Sequence, residues 1–272
     1  MEQNYNQIRI KINTTCLEKE VPQERFIILN ESLYIAKETL EALIKVEKMQ
    51  SGIIISSYGS NNTELDNLCT CSGKNVYNDR FPTSDLVIYV RKYNSLYDNF
   101  DITDESFQSF PCKPKIIIYN SGNGRPIVGT LIYHDLPFLT NEVYTKERLK
   151  YLFLHEMTHI LGFTKEVLTK YGDSIITNKQ TKNRVNGQDI TKLMVVHEKV
   201  LTVAKQYFNC TTITGIELDT KISTLDFEEY HWEARILLSR SSHFSIYISI
   251  IRKSWFLPSK LLYRWLNEFR EK

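Results

Sequence analysis

The segment YLFLHEMTHILGF, at residues 151–163, contains His155 and His159, four residues apart, with Glu156 directly after the first. On a helix, residues i and i+4 project from the same face, so both imidazoles can bind one metal ion. Neutral nitrogen ligands suit tetrahedral zinc, and a hydrolytic zinc site leaves one coordination position for water. Zinc lowers the pKa of that water to about 7, and Glu156 can accept its proton. The pattern therefore predicts metal-assisted hydrolysis.

The same residues have a simpler interpretation, a buried helix that contains two hydrogen-bonded histidines. That interpretation also places a glutamate inside the apolar run FLHEMTHIL. A buried carboxylate without a partner is costly, whereas a metal-bound water would give Glu156 a partner. The sequence therefore favours the zinc site.

A zinc site of this kind needs a third protein ligand. A histidine or aspartate six residues beyond the motif would supply it in a short metzincin motif, but Lys165 occupies that position. His197 lies in a predicted helix, where packing or surface exposure explains it better, and Glu198 beside it has no evident supporting partner. His243 lies in a basic, aromatic tail that differs in texture from the rest of the chain. His231, in the segment EEYHWEARILL, is therefore the best candidate.

Hydrophobic periodicity predicts the elements that must position these residues. Helices are predicted over 25–49, 144–162 and 190–208, and Gly162 is the expected end of the motif helix. Strands are predicted over 52–56, 85–93 and 113–120. A further strand before His134 is interrupted by Pro126 and Gly129, which suits an edge strand or a bulge. His134 itself is expected at the surface, with the rim of a substrate cleft as the alternative. Together these elements indicate an α+β fold.

Length and composition bound the class of protein. The chain has 272 residues, 42% hydrophobic and 24% charged, which is typical of a globular protein with one large domain or two lobes. Its net charge of +2, from 34 basic and 32 acidic residues, gives no support for nucleic acid as a partner. The first residues lack the apolar stretch of a secretory signal, and the apolar runs are shorter than the roughly 20 residues of a membrane span. These features predict a soluble protein.

Cysteines and glycosylation sequons bear on the compartment. The cysteines fit either reduced thiols or two disulfides with one cysteine left over. They are Cys16, Cys69, Cys71, Cys112 and Cys210. Four N-x-S/T sequons, at Asn13, Asn30, Asn61 and Asn209, favour a secreted origin only weakly, because such sequons arise readily by chance. An intracellular location stays open on these residues alone.

The chain resembles the leishmanolysin-like zinc metallopeptidases, a protist-type family of the metzincin clan. The resemblance is carried by HEMTHILGF, by HWEAR far downstream, and by the upstream segments SDLVIYV and NGRPIVGTLIY, so it spans about residues 8–238. It implies a zincin-like fold, with a twisted mixed sheet, an active-site helix and a smaller, mainly helical or irregular C-terminal lobe. It also implies three regions: an N-terminal subdomain at 1–164, a C-terminal subdomain at 165–239 that carries the third ligand, and a divergent basic and aromatic tail at 240–272.

For function, the resemblance implies a zinc-dependent endopeptidase. His155, His159 and His231 would bind one zinc ion, and Glu156 would act as general base on a zinc-bound water. The strand Ile127–Tyr133 would be the sheet edge that pairs with an extended peptide substrate. The partners would be proteins or peptides. The resemblance also implies a secreted, cell-surface or membrane-associated protein, in some cases with a role in adhesion to a host or matrix.

Two departures from the family pattern support alternative functions. The family has a methionine turn after the third histidine, but the methionines here are Met1, Met49, Met157 and Met194. The family's cysteine-rich C-terminal region is missing too, since no cysteine follows Cys210. One alternative is a non-catalytic relative that binds zinc or acts in adhesion. The other is an intracellular protein whose HExxH helix holds no metal.

Overall fold

The fold is known from a computed structural model, and the chain divides into two compact units, Met1–Gly162 and Phe163–Lys272. The structure describes residues 5–47, 52–54, 80–93, 107–111, 126–134, 146–164, 176–182, 189–219 and 231–232. The predicted strand at 113–120 and the tail from residue 240 lie outside these ranges. The three regions inferred from the sequence therefore stay a prediction.

In its described residues, the first unit has eight strands and three helices. The strands are β1 (Tyr5–Gln7), β2 (Ile10–Asn13), β3 (Lys45–Glu47), β4 (Ile53–Ile54), β5 (Arg80–Phe81), β6 (Leu86–Lys92), β7 (Phe107–Pro111) and β8 (Val128–Tyr133). The helices are α1 (Thr15–Glu20), α2 (Gln23–Leu43) and α3 (Lys146–Ile160). The predicted motif helix corresponds to α3, and the predicted strand at 85–93 corresponds to β6.

Four of these strands form one mixed sheet in the order β2-β6-β8-β7. Strands β2 and β8 run parallel to β6, whereas β7 runs antiparallel to β8. All of β8 is buried, as is β6 from Leu86 to Arg91. Continuous burial is typical of strands that are covered on both faces. The mixed sheet and its helices are consistent with the predicted α+β class.

Strand β8 is an interior strand, and the prediction that it forms a sheet edge is wrong. It pairs with β6 from Val128 to Tyr133 on one side and with β7 from Gly129 to Tyr133 on the other. Gly129 marks neither the edge strand nor the bulge that the sequence predicted. A Cβ atom built on Gly129 would lie 2.2 Å from Cγ2 of Ile160, so glycine allows α3 to approach the sheet closely. Among the described residues, β7 is the edge strand on this side of the sheet.

Helix α2 ends at Leu43, whereas the sequence predicted a helix to about residue 49. Ile44 is already extended, with φ −105° and ψ 130°, and its carbonyl accepts the N–H of Ile8 at 2.9 Å. Strand β3 follows and pairs antiparallel with β1. The helix-forming residues beyond Leu43 are overridden because a strand from the start of the chain supplies hydrogen-bond partners for their backbone.

An ion pair links the beginnings of β2 and β6. The Arg9 guanidinium donates to both carboxylate oxygens of Asp85, with Nε–Oδ2 at 2.8 Å and Nη2–Oδ1 at 2.9 Å. The backbone N–H of Arg9 also donates to Oδ2, at 3.0 Å. The Asp85 side chain is 0% exposed and that of Arg9 is 33% exposed. The hydrogen bond to Asp85 raises the pKa of Arg9 above its ordinary value. Bidentate hydrogen bonds between a guanidinium and a carboxylate are among the stronger ones in proteins.

The described part of the second unit is an antiparallel sheet with one helix. Strands β9 (Ile176–Lys182), β10 (Asp189–Val195), β11 (Ile216–Asp219) and β12 (His231–Trp232) lie in the order β12-β11-β10-β9, and the helix is α4 (Glu198–Phe208). The sequence predicted one helix over 190–208, but its first part is β10, which pairs with β9 along all seven residues. The lobe that the resemblance implies as mainly helical or irregular thus contains a four-stranded sheet in its described residues, and its character as a whole stays a prediction.

The cysteines are in two states. Cys16, buried in α1, is disulfide-bonded, whereas Cys210 is a free thiol. Fully reduced cysteines, one of the two interpretations of the sequence, are thereby excluded. In the described ranges, no helix has both the length and the apolar character needed to cross a bilayer.

Candidate metal centre

Helix α3 has an apolar face and a second face that carries the motif. Phe153, Met157 and Ile160 are fully buried, and the helix contacts α2, β7 and β8. At 100° per residue, His155, Glu156 and His159 lie within a 100° arc on another side of the helix. His159 is 1% exposed and Glu156 is 5% exposed, whereas His155 is half-buried. The motif side chains are therefore recessed, with His155 on the more open side.

The two motif imidazoles point their distal nitrogens at each other. Nε2 of His155 and Nε2 of His159 are 3.1 Å apart, and the rings are nearly perpendicular, with centroids 4.6 Å apart and an interplanar angle of 86°. Two nitrogens that share one tetrahedral zinc ion at 2.0–2.1 Å lie about 3.3–3.4 Å from each other. The observed separation is within a few tenths of an ångström of that value. The pair therefore fits a single zinc ion.

The described residues do not by themselves complete a metal site. No group of three or more His, Cys, Asp or Glu side chains comes together within them. His231 lies in β12 of the second unit, opposite Asp219 of β11, and the structure describes only its backbone. The donor set of α3 suits zinc in its chemistry and its spacing, and the role of His231 as third ligand stays a prediction.

Contacts from the sheet and from the helix end hold the motif turn of α3 in place. The buried hydroxyl of Ser109, on β7, donates to the backbone carbonyl of Glu156 at 2.7 Å. The Thr158 hydroxyl donates to the carbonyl of His155, also at 2.7 Å. The helix ends at Ile160, and Gly162 follows with φ +117°, a conformation that favours glycine. The predicted stop at Gly162 is therefore confirmed.

The other candidate residues lie in different surroundings from those predicted. His197 precedes the first residue of α4 at the N-cap position, so the prediction that it lies in mid-helix is wrong. Glu198 is exposed in the first turn of α4. His134 is 1% exposed and stacks on Tyr93, with ring centroids 4.7 Å apart. The expectation that His134 lies at the surface is wrong, because Tyr93 and His134 follow the parallel neighbours β6 and β8 and therefore meet.

Sequence reasoning missed Ser109. Its strand, β7, has the sequence FQSFP, which lacks a clear alternation of apolar and polar residues and ends in proline. The partner of Ser109 is 47 residues away along the chain. No local signal in the sequence points to this contact.

A helix that carries HExxH and packs on a mixed sheet is expected of a metallopeptidase, and comparison with known families agrees. The family model for leishmanolysin matches residues 9–242. The chain belongs to the leishmanolysin family, whose members are zinc-dependent metallopeptidases, and the resemblance inferred from the sequence is confirmed.

Two curated relatives are similar to part of the chain. The ciliated left-right organizer metallopeptidase of Danio rerio is 26% identical over 170 residues, which are 57% of this chain and 24% of the relative. The protein of the same name in Homo sapiens is 28% identical over 136 residues, which are 46% of this chain and 17% of the relative. The aligned segments thus cover a quarter or less of these relatives.

Proposed function

We propose that this chain is a zinc-dependent endopeptidase. The observation that carries the proposal is the convergence of the His155 and His159 Nε2 atoms, 3.1 Å apart, beside the buried carboxyl of Glu156. Membership of a metallopeptidase family supports the same chemistry. Proteins or peptides are the substrate class that follows from the family.

In this proposal one zinc ion is held by His155, His159 and His231. The first two lie one helical turn apart on α3. His231 is assigned as the third ligand because its segment, HWEAR, resembles the family segment that carries the third histidine. Zinc, when bound, contributes Lewis acidity, which acidifies water and polarises the substrate carbonyl. The geometry of the two α3 ligands requires little rearrangement, because their nitrogens already face each other.

Glu156 is the proton carrier of the proposed reaction. It takes the proton from the attacking water and passes it to the amine that leaves when the peptide bond breaks. Its burial suits this role, because a desolvated carboxylate is a stronger base than one in water. The Ser109 hydroxyl holds the backbone of Glu156 against β7, so the carboxyl has a defined starting position.

We infer that β7, rather than β8, is the strand along which an extended peptide pairs. Strand β8 has both of its edges occupied, whereas β7 borders the sheet in the described part of the chain. The Ser109 contact connects β7 directly to the turn that carries Glu156. Main-chain pairing at a sheet edge would place a peptide beside the motif without demanding a particular sequence.

We further infer a compartment that is oxidising, either secreted or at the cell surface. The disulfide of Cys16 supports this, because such bonds persist in oxidising compartments and are rare in the cytosol.

Zinc content and proteolysis of the purified full chain test the proposal. We expect about one zinc per chain and cleavage of a labelled denatured protein. Glu156→Gln should keep the zinc and lose at least about 100-fold in cleavage rate, the scale of general acid–base catalysis. A Glu156→Gln variant that cleaves at the parent rate would contradict the mechanism.

Histidine variants test the ligand set. His231→Ala should lose most of the zinc affinity, whereas His197→Ala and His243→Ala serve as matched controls and should keep it. If His197→Ala loses the zinc and His231→Ala retains it, the third ligand assigned here is wrong.

A non-catalytic zinc-binding relative is the second candidate. The absence of methionine between His231 and position 272 favours it, because the family has a methionine turn after its third histidine. Stoichiometric zinc without cleavage of any denatured protein would select this candidate over the first.

A further inference from the structure

An exposed asparagine, Asn209, caps the C-terminal end of α4. Asn209 is exposed and adopts a left-handed conformation, with φ 48° and ψ 48°, immediately after the last helical residue, Phe208. Its backbone N–H donates to the carbonyl of Gln206, and the next N–H, of Cys210, donates to that of Lys205. The backbone N–H groups of this turn therefore have hydrogen-bond partners. The Asn209 side chain makes no hydrogen bond to the described residues, so the fold does not explain its presence.

We propose that Asn209 is an N-glycosylation site. It begins the sequon Asn209-Cys210-Thr211, and Thr211 is exposed as well. In the reaction, the side-chain amide nitrogen of Asn209 attacks the anomeric carbon of a lipid-diphosphate-linked oligosaccharide. An N–C bond forms, the C–O bond to the diphosphate breaks, the lipid diphosphate leaves and the amide loses one proton. The disulfide of Cys16 supports the oxidising compartment proposed above, which is the kind of compartment where such donors act.

The other described sequons are poorer acceptors. Asn30 lies in the middle of α2, and its Oδ1 is buried without a hydrogen-bond partner. The hydroxyl residue of that sequon, Ser32, is 0% exposed and donates to the carbonyl of Ile28 at 2.8 Å. An oligosaccharide on Asn30 would therefore conflict with the packing of α2.

Asn13 is held more firmly than Asn209. It is half-buried at the end of β2, and its Oδ1 accepts the N–H of Thr15 at 3.1 Å, at the start of α1. Of the three sequons that the structure describes, Asn209 alone combines an exposed asparagine, an exposed hydroxyl residue and a side chain without a structural hydrogen bond.

A glycan at Asn209 would also shield the neighbouring thiol. The Sγ atom of Cys210 lies 3.3 Å from Oγ1 of Thr212. The hydrogen bond from this hydroxyl, together with the backbone N–H of Thr212, lowers the pKa of Cys210 and so favours the reactive thiolate. A bulky oligosaccharide one residue away limits access to this partly exposed thiol, which in an oxidising compartment would otherwise pair with other molecules.

Translation of the full chain behind a cleavable targeting signal, with microsomes present, tests the proposal. Protease protection first establishes that the chain has entered the microsomes. We expect a glycan that peptide-N-glycosidase removes, and conversion of Asn209 to aspartate with ¹⁸O incorporation locates it by mass spectrometry. Asn209→Gln should abolish the modification at this site, and Thr211→Ala should do the same with the asparagine intact. Asn30→Gln is the matched control and should leave it unchanged.

Occupancy of Asn209 in protected chains would support the proposal, and protected chains with an unmodified Asn209 would overturn it. A second readout tests the shielding: maleimide should label Cys210 several-fold more slowly in the glycosylated chain than in Asn209→Gln. Neither readout depends on proteolysis, so failure here and failure of the proposed enzyme activity are distinguishable.

Discussion

Replacement of Gly129 by alanine tests how closely the motif helix packs on the sheet. Alanine in a regular strand normally stabilises relative to glycine by about 0.4–1 kcal/mol, because it restricts the unfolded chain. The structure predicts the opposite sign. The new Cβ would meet Ile160 at 2.2 Å from Cγ2 and 2.9 Å from Cγ1.

The magnitude follows from what can move. Ile160 is fully buried and β-branched, so its χ1 rotamer on the helix is stiff and the side chain cannot swing away. Helix α3 must then move away from the sheet by roughly 1 Å. We therefore expect the free energy of unfolding to fall by an amount near the upper end of the 1–3 kcal/mol typical of overpacking. For a protein of this size, about 3 kcal/mol corresponds to a fall in Tm of about 6–12 °C.

The same displacement reaches the proposed site, because His159 directly precedes Ile160. A misplacement of about 1 Å can lower the rate of a positioned reaction about 100-fold. We therefore expect Gly129→Ala to have a lower kcat/KM than the parent even at a temperature where the variant is fully folded. Loss of stability alone would not lower kcat/KM under that condition.

A double-mutant cycle in urea, followed by circular dichroism with zinc chelated, isolates the contact. Ile160→Ala alone should cost about 2–5 kcal/mol through the cavity it leaves. In Gly129→Ala/Ile160→Ala the clash is gone, so the combined loss should be smaller than the sum by about 0.5–3 kcal/mol. Additive losses, or a Gly129→Ala variant as stable as the parent, would refute the packing described here.

Four further outcomes follow from the structure. Arg9→Ala should cost about 3–5 kcal/mol in chemical denaturation, because it leaves the fully buried carboxylate of Asp85 without its cation. Asp85→Asn should cost less, about 1.5–3 kcal/mol, since water reaches the guanidinium that remains; equal losses would contradict this asymmetry. Ser109→Ala should cost about 1 kcal/mol and lower kcat/KM without loss of zinc, and an unchanged kcat/KM would remove Ser109 from the positioning of Glu156. Zinc at a hundredfold excess over its Kd should stabilise the parent by about 2.7 kcal/mol but should not stabilise His159→Ala, as thermal unfolding would measure.

Elements with a strong local pattern could be predicted from the sequence. The motif helix, its stop at Gly162, the strand Leu86–Lys92 and most of α2 are specified by apolar spacing and by the conformational freedom of glycine within a few residues. The HExxH spacing likewise placed two imidazoles on one helical face, and their nitrogens do face each other. Such features depend on neighbours in the chain, which a sequence displays directly.

Features that depend on distant partners could not be predicted. Strand β9, ITNKQTK, is too polar to show a strand pattern, although Asn186-Gly187 in the connection that follows is a typical hairpin turn sequence. The segment at 190–195 became a strand because β9 and β11 supply its backbone partners. Gly129 was assigned to an edge because its real neighbour, Ile160, arrives from a helix that the sequence alone does not place on the sheet.

The amino-acid sequence thus determined the reactive residue types, their spacing on one helix and the family to which the chain belongs. Only the tertiary structure decided that β8 is an interior strand, that His134 is buried against Tyr93, and that Ser109 binds the backbone of Glu156. The physical reason is that side-chain chemistry and helical periodicity are local properties. Burial and strand order, in contrast, depend on which segments meet across the core, where backbone hydrogen bonds and close packing select among arrangements that local propensity leaves nearly equal.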